Sequence, residues 1–179
     1  MKIDDSPSMR SHEPVLRMLG RTGLIENVLE LGSGKFSTAL FLDKSVFPNL
    51  KRLVSIEHSP KWRNVVRDLF SDSRLRIDHV SENDMFEKLD DMLDTWLQLK
   101  DIDLVLIDNA DTYQFRIKTI EHLAAKNFTC PVVIHDFEME KYRDAAKGFD
   151  YQMIFVSEIP SSSNGPFSWT GVCWNGEQE

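Results

Sequence analysis

The stretch from Asn27 to Thr38, Asn-Val-Leu-Glu-Leu-Gly-Ser-Gly-Lys-Phe-Ser-Thr, restricts the fold of this chain more than any other. A short apolar run (Val28, Leu29, Leu31) carries one acid, Glu30, and breaks at Gly32-Ser33-Gly34. The pattern resumes at helical spacing from Ser37-Thr38 through Ala39, Leu40, Phe41 and Leu42. That order reads as strand, glycine turn, helix. Glycines allow positive φ and let another group approach the backbone closely. A helix start adds unbonded N–H groups and the positive end of a dipole. Such a turn suits a nucleotide-like ligand.

Three ligands compete for it. A phosphate-binding P-loop needs Gly-x-x-x-x-Gly-Lys-Ser/Thr; here Leu29 replaces the first glycine and Phe36 the hydroxyl. A dinucleotide fingerprint needs a third glycine where Ser37 stands, and it would set Glu30 near a pyrophosphate. S-adenosylmethionine carries no phosphate but a sulfonium, an α-ammonium and a ribose diol, so an acid at the strand end becomes an asset. Glu30-Leu31-Gly32-Ser33-Gly34 resembles the first motif, acid-x-Gly-x-Gly, of class I S-adenosylmethionine-dependent methyltransferases. The resemblance implies cofactor contacts from Glu30, Gly32, Ser33 and Gly34.

The rest of the chain follows the same pattern from about Leu24 to Trp174. A second strand over 50–57 ends in Glu57, 23 positions after Gly34, close to the interval that puts an acid on a ribose diol. His58 follows, where family members often place a ring against the adenine. Pro60 opens a helix. A third strand over 74–80 leads to Asn83 and Asp84, where the resemblance implies contact with the adenine amino group and where helix capping is an equal reading. A helix runs on to Leu97.

Asp103 to Asp108 is an unbroken apolar run between two acids, suited to a parallel strand buried on both faces. It ends at the sheet edge where open α/β folds bind ligands. A fifth strand, Pro131 to Asp136, also closes on an acid. This pair resembles the strand ends of small-molecule O-methyltransferases of the catechol and caffeoyl type. That resemblance implies a divalent cation such as Mg on Asp108 and Asp136, with Phe137 standing where those enzymes have Asn and Glu138 the substitute ligand. The Gly-Gly usual before this strand is replaced by Asn127-Phe128-Thr129-Cys130. Asp108, Asp136 and His135 are the candidates to orient or deprotonate an acceptor. Alternation along a strand separates neighbouring side chains, so His135 also reads as a core histidine.

The expected fold is α/β: a three-layer α/β/α sandwich around a Rossmann-like, seven-stranded, mostly parallel sheet with an antiparallel last strand. One domain spans 1–179, with 1–11 a loose N-terminal segment, a helix from about His12 to Leu24, and Arg10, Ser11 and His12 near the cofactor. A formal net charge of −8 disfavours general nucleic-acid binding, which draws on clustered Lys and Arg. Cys130 and Cys173 lack metal-ligand spacing and read as buried thiols. With no apolar run of transmembrane length and no signal-peptide core, the expected location is cytoplasmic. The expected activity is methyl transfer to a small-molecule acceptor, through a hydroxyl oxygen, by a chain that pairs as a homodimer through exposed helices. A catalytically silent domain of the same fold and a nicotinamide-dependent oxidoreductase are the alternatives.

Overall fold

The computed structural model describes residues 7–97, 102–109, 114–126, 128–161 and 167–176. Its strands are β1 (Asn27–Leu31), β2 (Arg52–Glu57), β3 (Leu75–His79), β4 (Leu104–Ile107), β5 (Val132–Ile134), β6 (Tyr151–Val156) and β7 (Trp169–Trp174). They form one sheet in the order β3-β2-β1-β4-β5-β7-β6. The first five are parallel, and β7 runs antiparallel to both β5 and β6. The helices are α1 (Glu13–Gly20), α2 (Ser37–Leu42), α3 (Pro60–Leu69), α4 (Glu82–Leu97), α5 (Phe115–Ala125) and α6 (Glu140–Ala145). No helix among the described residues is long and apolar enough to cross a membrane.

Alternation explains the layering. Leu29, Leu31, Val105 and Ile107 face one core with Phe115, Ile120 and Leu123 of α5. Val28, Leu104, Leu106 and Val133 face the other with Leu16 of α1 and Leu40 and Phe41 of α2. Burial on both faces is what makes the central strands near-continuous apolar runs. Topology reverses at β1, where β2 departs to one side and β4 to the other, so the tips of β1, β2, β4 and β5 surround one crevice.

Two expectations are corrected. Residues 7–11 are not loose: Pro7–Arg10 is a 3-10 turn, and Ser8 and Ser11 are buried. The cause is tertiary, because His135 Nε2 lies 3.2 Å from the Ser8 carbonyl and 2.9 Å from Ser11 Oγ. The fifth strand stops at Ile134, before His135 and Asp136. Asp136 then takes φ 55, a left-handed conformation that Asp tolerates better than most residues. With the strand ended, alternation no longer separates the two side chains. Asp111, Tyr113 and the 162–166 loop lie outside the described residues.

Candidate active site at the strand tips

The crevice is built from two carboxylate pairs, one on each side of β1. On the β1–β2 side, Glu30 is fully buried beside its register partner Ser55. Its Oε2 accepts from Thr38 Oγ1 at 2.8 Å and from Ser55 Oγ. Thr38 Oγ1 in turn accepts from Gly34 N at 3.2 Å, which ties the glycine turn to the acid. Glu30 Oε1 has no hydrogen-bond partner. Burial pushes the Glu30 carboxyl up to about 7, against the opposing pull of the Ser37, Ser55 and Thr38 hydroxyls.

Glu57 is buried too, but its oxygens are fully engaged. Oε2 accepts from Ser33 N (3.1 Å) and Ser33 Oγ (2.9 Å); Oε1 accepts from Ser59 N (2.8 Å) and lies 3.2 Å from His58 Nδ1. The two glycines differ sharply. A Cβ on Gly32, whose φ is 91, would stand 2.3 Å from the Asp108 carbonyl oxygen, so its bareness serves contact between strand tips. The Cβ side of Gly32 is therefore filled by the Asp108–Asn109 backbone just past β4. A Cβ on Gly34 would press only on Ser37 Oγ, at 2.9 Å, which leaves that side of the turn open.

Beyond the tips of β2 and β3, a cleft of about 440 Å³ is lined by His58, Ser59, Pro60, His79 and Ser81. Asp84 at its rim is committed to capping α4: its N–H donates to Ser81 Oγ (3.2 Å), and Ser81 Oγ donates to Asp84 Oδ2 (2.7 Å). The side chain of Asn83 lies outside the described residues.

On the β4–β5 side, the second pair is held by a residue to which the sequence reading gave no role. Arg116, at the start of α5, has a side chain 7% exposed. Its Nη2 donates to Asp108 Oδ1 and its Nη1 to Asp136 Oδ2, both at 3.0 Å. Its Nε and Nη2 also reach the Asn109 carbonyl, at 2.9 and 2.7 Å. His135 Nδ1 lies 3.0 Å from Asp108 Oδ1 and 3.5 Å from Asp136 Oδ1. Burial alone would raise the Asp108 carboxyl, but His135 and Arg116 outweigh it and hold the group well below the usual range. Burial likewise opposes the charge on His135, yet Asp108 and Asp136 carry it up to about 9.

A cation such as Mg between Asp108 and Asp136 does not fit this arrangement, because the guanidinium already spans the two carboxylates. Nor do the neighbouring residues complete an oxygen cage. Phe137 is fully buried against Gly171 of β7, where an added Cβ would meet the ring at 2.7 Å. Glu138 accepts from Trp169 N (2.9 Å) and from Ser161 Oγ, anchoring the start of β7. Position 137 is apolar because it faces the core.

His12 closes the site from the N-terminal side, its ring edge-on to His135 with centroids 5.0 Å apart. It is 1% exposed, and neither ring nitrogen has a partner. Each such orphan costs about 1–3 kcal/mol. Burial and the charge on His135 drive its pKa down to about 3.

No protein-family model matches the chain, and no curated protein matches it in sequence. Solved structures do match it. A probable spermidine synthase from Corynebacterium glutamicum superposes with a TM-score of 0.63 at 13% identity, over 93% of this chain and 63% of its own. Precorrin-6y C5,15-methyltransferase from Geobacter metallireducens gives 0.54 at 14%, over 89% and 87%. A protein designated an rRNA methylase from Clostridium thermocellum gives 0.59 at 15%, over 99% and 100%. The chain thus spans less than two thirds of the spermidine synthase. Its fold is that of the class I methyltransferases. Identities this low establish architecture, and the chemistry must be argued from the tips themselves.

The sequence-derived candidates Glu30, Ser33, Gly34, Glu57, Asp108, His135 and Asp136 all converge on the crevice. Arg116 is the addition, and His12, expected near the cofactor, packs against His135. Arg116 left one signal, a charge within the core-facing stripe formed with Thr119, Ile120 and Leu123; a buried arginine needs acids. The position of His12 near the site was expected, but its packing on His135 was not, because that partner lies far away in the chain.

Proposed function

We propose that this chain is an S-adenosylmethionine-dependent methyltransferase that acts on a hydroxyl of a small-molecule acceptor. One observation carries the reading: Glu30 is a fully buried acid at a glycine turn with one oxygen unbonded. A cationic group beside it relieves the burial penalty, and a phosphate makes it worse. An α-ammonium suits this position, which disfavours the nicotinamide alternative.

When bound, S-adenosylmethionine supplies an electrophilic methyl group on a good leaving group. The residues that would hold it are Glu30, Ser33 and Gly34 at the turn, Glu57 at the diol, and His58 and Ser81 in the cleft. Glu57 can receive the diol only by exchanging its bond from Ser33 Oγ for one from the sugar, a swap of like donors. Asp108 and Asp136 have side chains 19% and 26% exposed, so they face the acceptor as hydrogen-bond acceptors. Arg116 fixes both in place. Alignment of this kind supplies up to about 7–11 kcal/mol of a barrier. The net charge of −8 supports a small acceptor over a nucleic acid.

Titration calorimetry with S-adenosylmethionine and its demethylated product tests the reading. Saturable binding is expected, weakened about tenfold or more by Glu30→Gln, since a hydrogen bond to a charged group contributes about 1.5–3 kcal/mol. Absence of binding at millimolar ligand, or tight NAD binding instead, sinks it. The Arg116 clamp also suits a catalytically silent domain; that reading gains if cofactor binds and Asp108→Asn leaves any methylation unchanged.

A further inference from the structure

Methyl transfer does not use the His12 ring, and the fold does not satisfy it. One nitrogen of His12, one nitrogen of His135 and one carboxylate oxygen of Asp108 all lie within 4.8 Å of one another. We propose that these three side chains form a binding site for a divalent transition-metal ion, distinct from the Asp108–Asp136 pair that Arg116 closes. The proposal stands on this geometry alone and does not require the methyltransferase reading.

The donor set selects the ion. Two imidazoles and one carboxylate favour the later first-row ions, cobalt, nickel and zinc among them, whereas magnesium prefers oxygen. Each residue also has the outer contacts of a ligand. A metal-bound histidine usually gives its second ring N–H to a carbonyl or carboxylate, which fixes the tautomer; His135 Nε2 lies 3.2 Å from the Ser8 carbonyl and 2.9 Å from Ser11 Oγ. Nδ1 is then the ligand atom, exchanging its 3.0 Å contact with Asp108 Oδ1 for the metal. Asp108 takes Arg116 and His135 on Oδ1, and its Oδ2 has no hydrogen bond among the described residues. Arg116 then orients the carboxylate from outside the coordination sphere. His12 is 99% inaccessible and unbonded at both nitrogens, a cost that metal ligation removes at one of them.

Metal–nitrogen and metal–oxygen bonds of about 2.0–2.2 Å bring ligand atoms to within about 4 Å of each other. Ligation therefore draws the three side chains closer together than the 4.8 Å within which their ligand atoms lie. His12 precedes α1 on a segment held through the Ser8 and Ser11 contacts to His135. Three protein ligands leave coordination positions for an oxygen donor, water or the acceptor hydroxyl, where Asp108 reaches solvent.

The test uses the full chain, stripped with chelator and titrated with Co²⁺ and Zn²⁺ in millimolar Mg²⁺. One ion per chain is expected, with a visible Co²⁺ spectrum showing nitrogen ligation. His12→Ala removes an unbonded ring, so the fold is retained while affinity falls at least about 100-fold, more than loss of an outer-shell contact. Asp136→Asn is expected to leave affinity within about threefold. A second histidine, His122, lies 2.9 Å from Asp90 and 2.8 Å from Asp94 near the surface and serves as the control. Absence of stoichiometric binding, or binding lost in His122→Ala but kept in His12→Ala, overturns the proposal. His135→Ala is expected to abolish binding; should it fail to fold, the His12→Ala titration decides.

Discussion

The two carboxylate pairs flanking β1 sit at equivalent strand tips and are held by opposite means. Glu30 and Glu57 are met by hydroxyls and backbone N–H groups, with His58 beside Glu57. Asp108 and Asp136 are met by the Arg116 guanidinium and the His135 ring. Neutral donors do not offset the cost of burying Glu30, whose carboxyl rises to about 7. Two cations more than offset it at Asp108, which is held down. A buried acid answered only by dipoles is poised to accept a cationic group; one answered by a cation is already paired. On the proposed function, the first pair is the one that receives the cationic end of the cofactor, while the second is held in place by Arg116.

The largest test of this contrast is Arg116→Ala. It leaves two partly buried carboxylates and two carbonyls without their donor, and the expected loss is about 3–5 kcal/mol by urea denaturation. Arg116→Lys restores only part of it, because a single ammonium cannot reproduce the planar fork. Gly32→Ala comes next. Its positive φ and the Asp108 carbonyl at 2.3 Å from the new Cβ predict a loss of about 3 kcal/mol. Gly34→Ala, at the open side of the turn, is expected to cost under about 1 kcal/mol while weakening cofactor binding.

A smaller effect separates the pairs by pH. A carboxyl whose folded pKa is raised binds protons more readily folded than unfolded. Stability from Glu30 is thus highest below about 4.5, falls as pH rises toward 7, and is level above that. Glu30→Gln removes this slope, and a gain of about 2 kcal/mol at pH 8 is expected in thermal or urea melts of the cofactor-free protein. A mutant that keeps the slope would assign it elsewhere. Smallest is Ser59→Ala, which removes the cap that accepts from Trp62 N at 3.2 Å. About 1 kcal/mol is expected, with the Asp108 side untouched.

Much of the architecture was legible along the chain. Each strand and helix expected within the described residues appears within a few positions, because alternating or continuous apolar runs and glycine breaks are local signals. The glycine turn, the acids at the tips of β1 and β2, and the acid ending β4 were legible for the same reason. The His135–Asp136 segment was not, since the strand ends two residues early and the backbone turns to positive φ.

Periodicity, turn residues and charge determined by themselves a doubly wound sheet with acids along one edge, since each depends on neighbours in sequence. Only the tertiary structure decided what faces each acid. Ser33, Ser55 and Thr38 came to one pair; Arg116, His135 and His12 came to the other, from segments as many as 127 positions apart in the Ser8–His135 contact. Electrostatic environment is set by distance in space and by exclusion of water, and neither is written in the order of the residues.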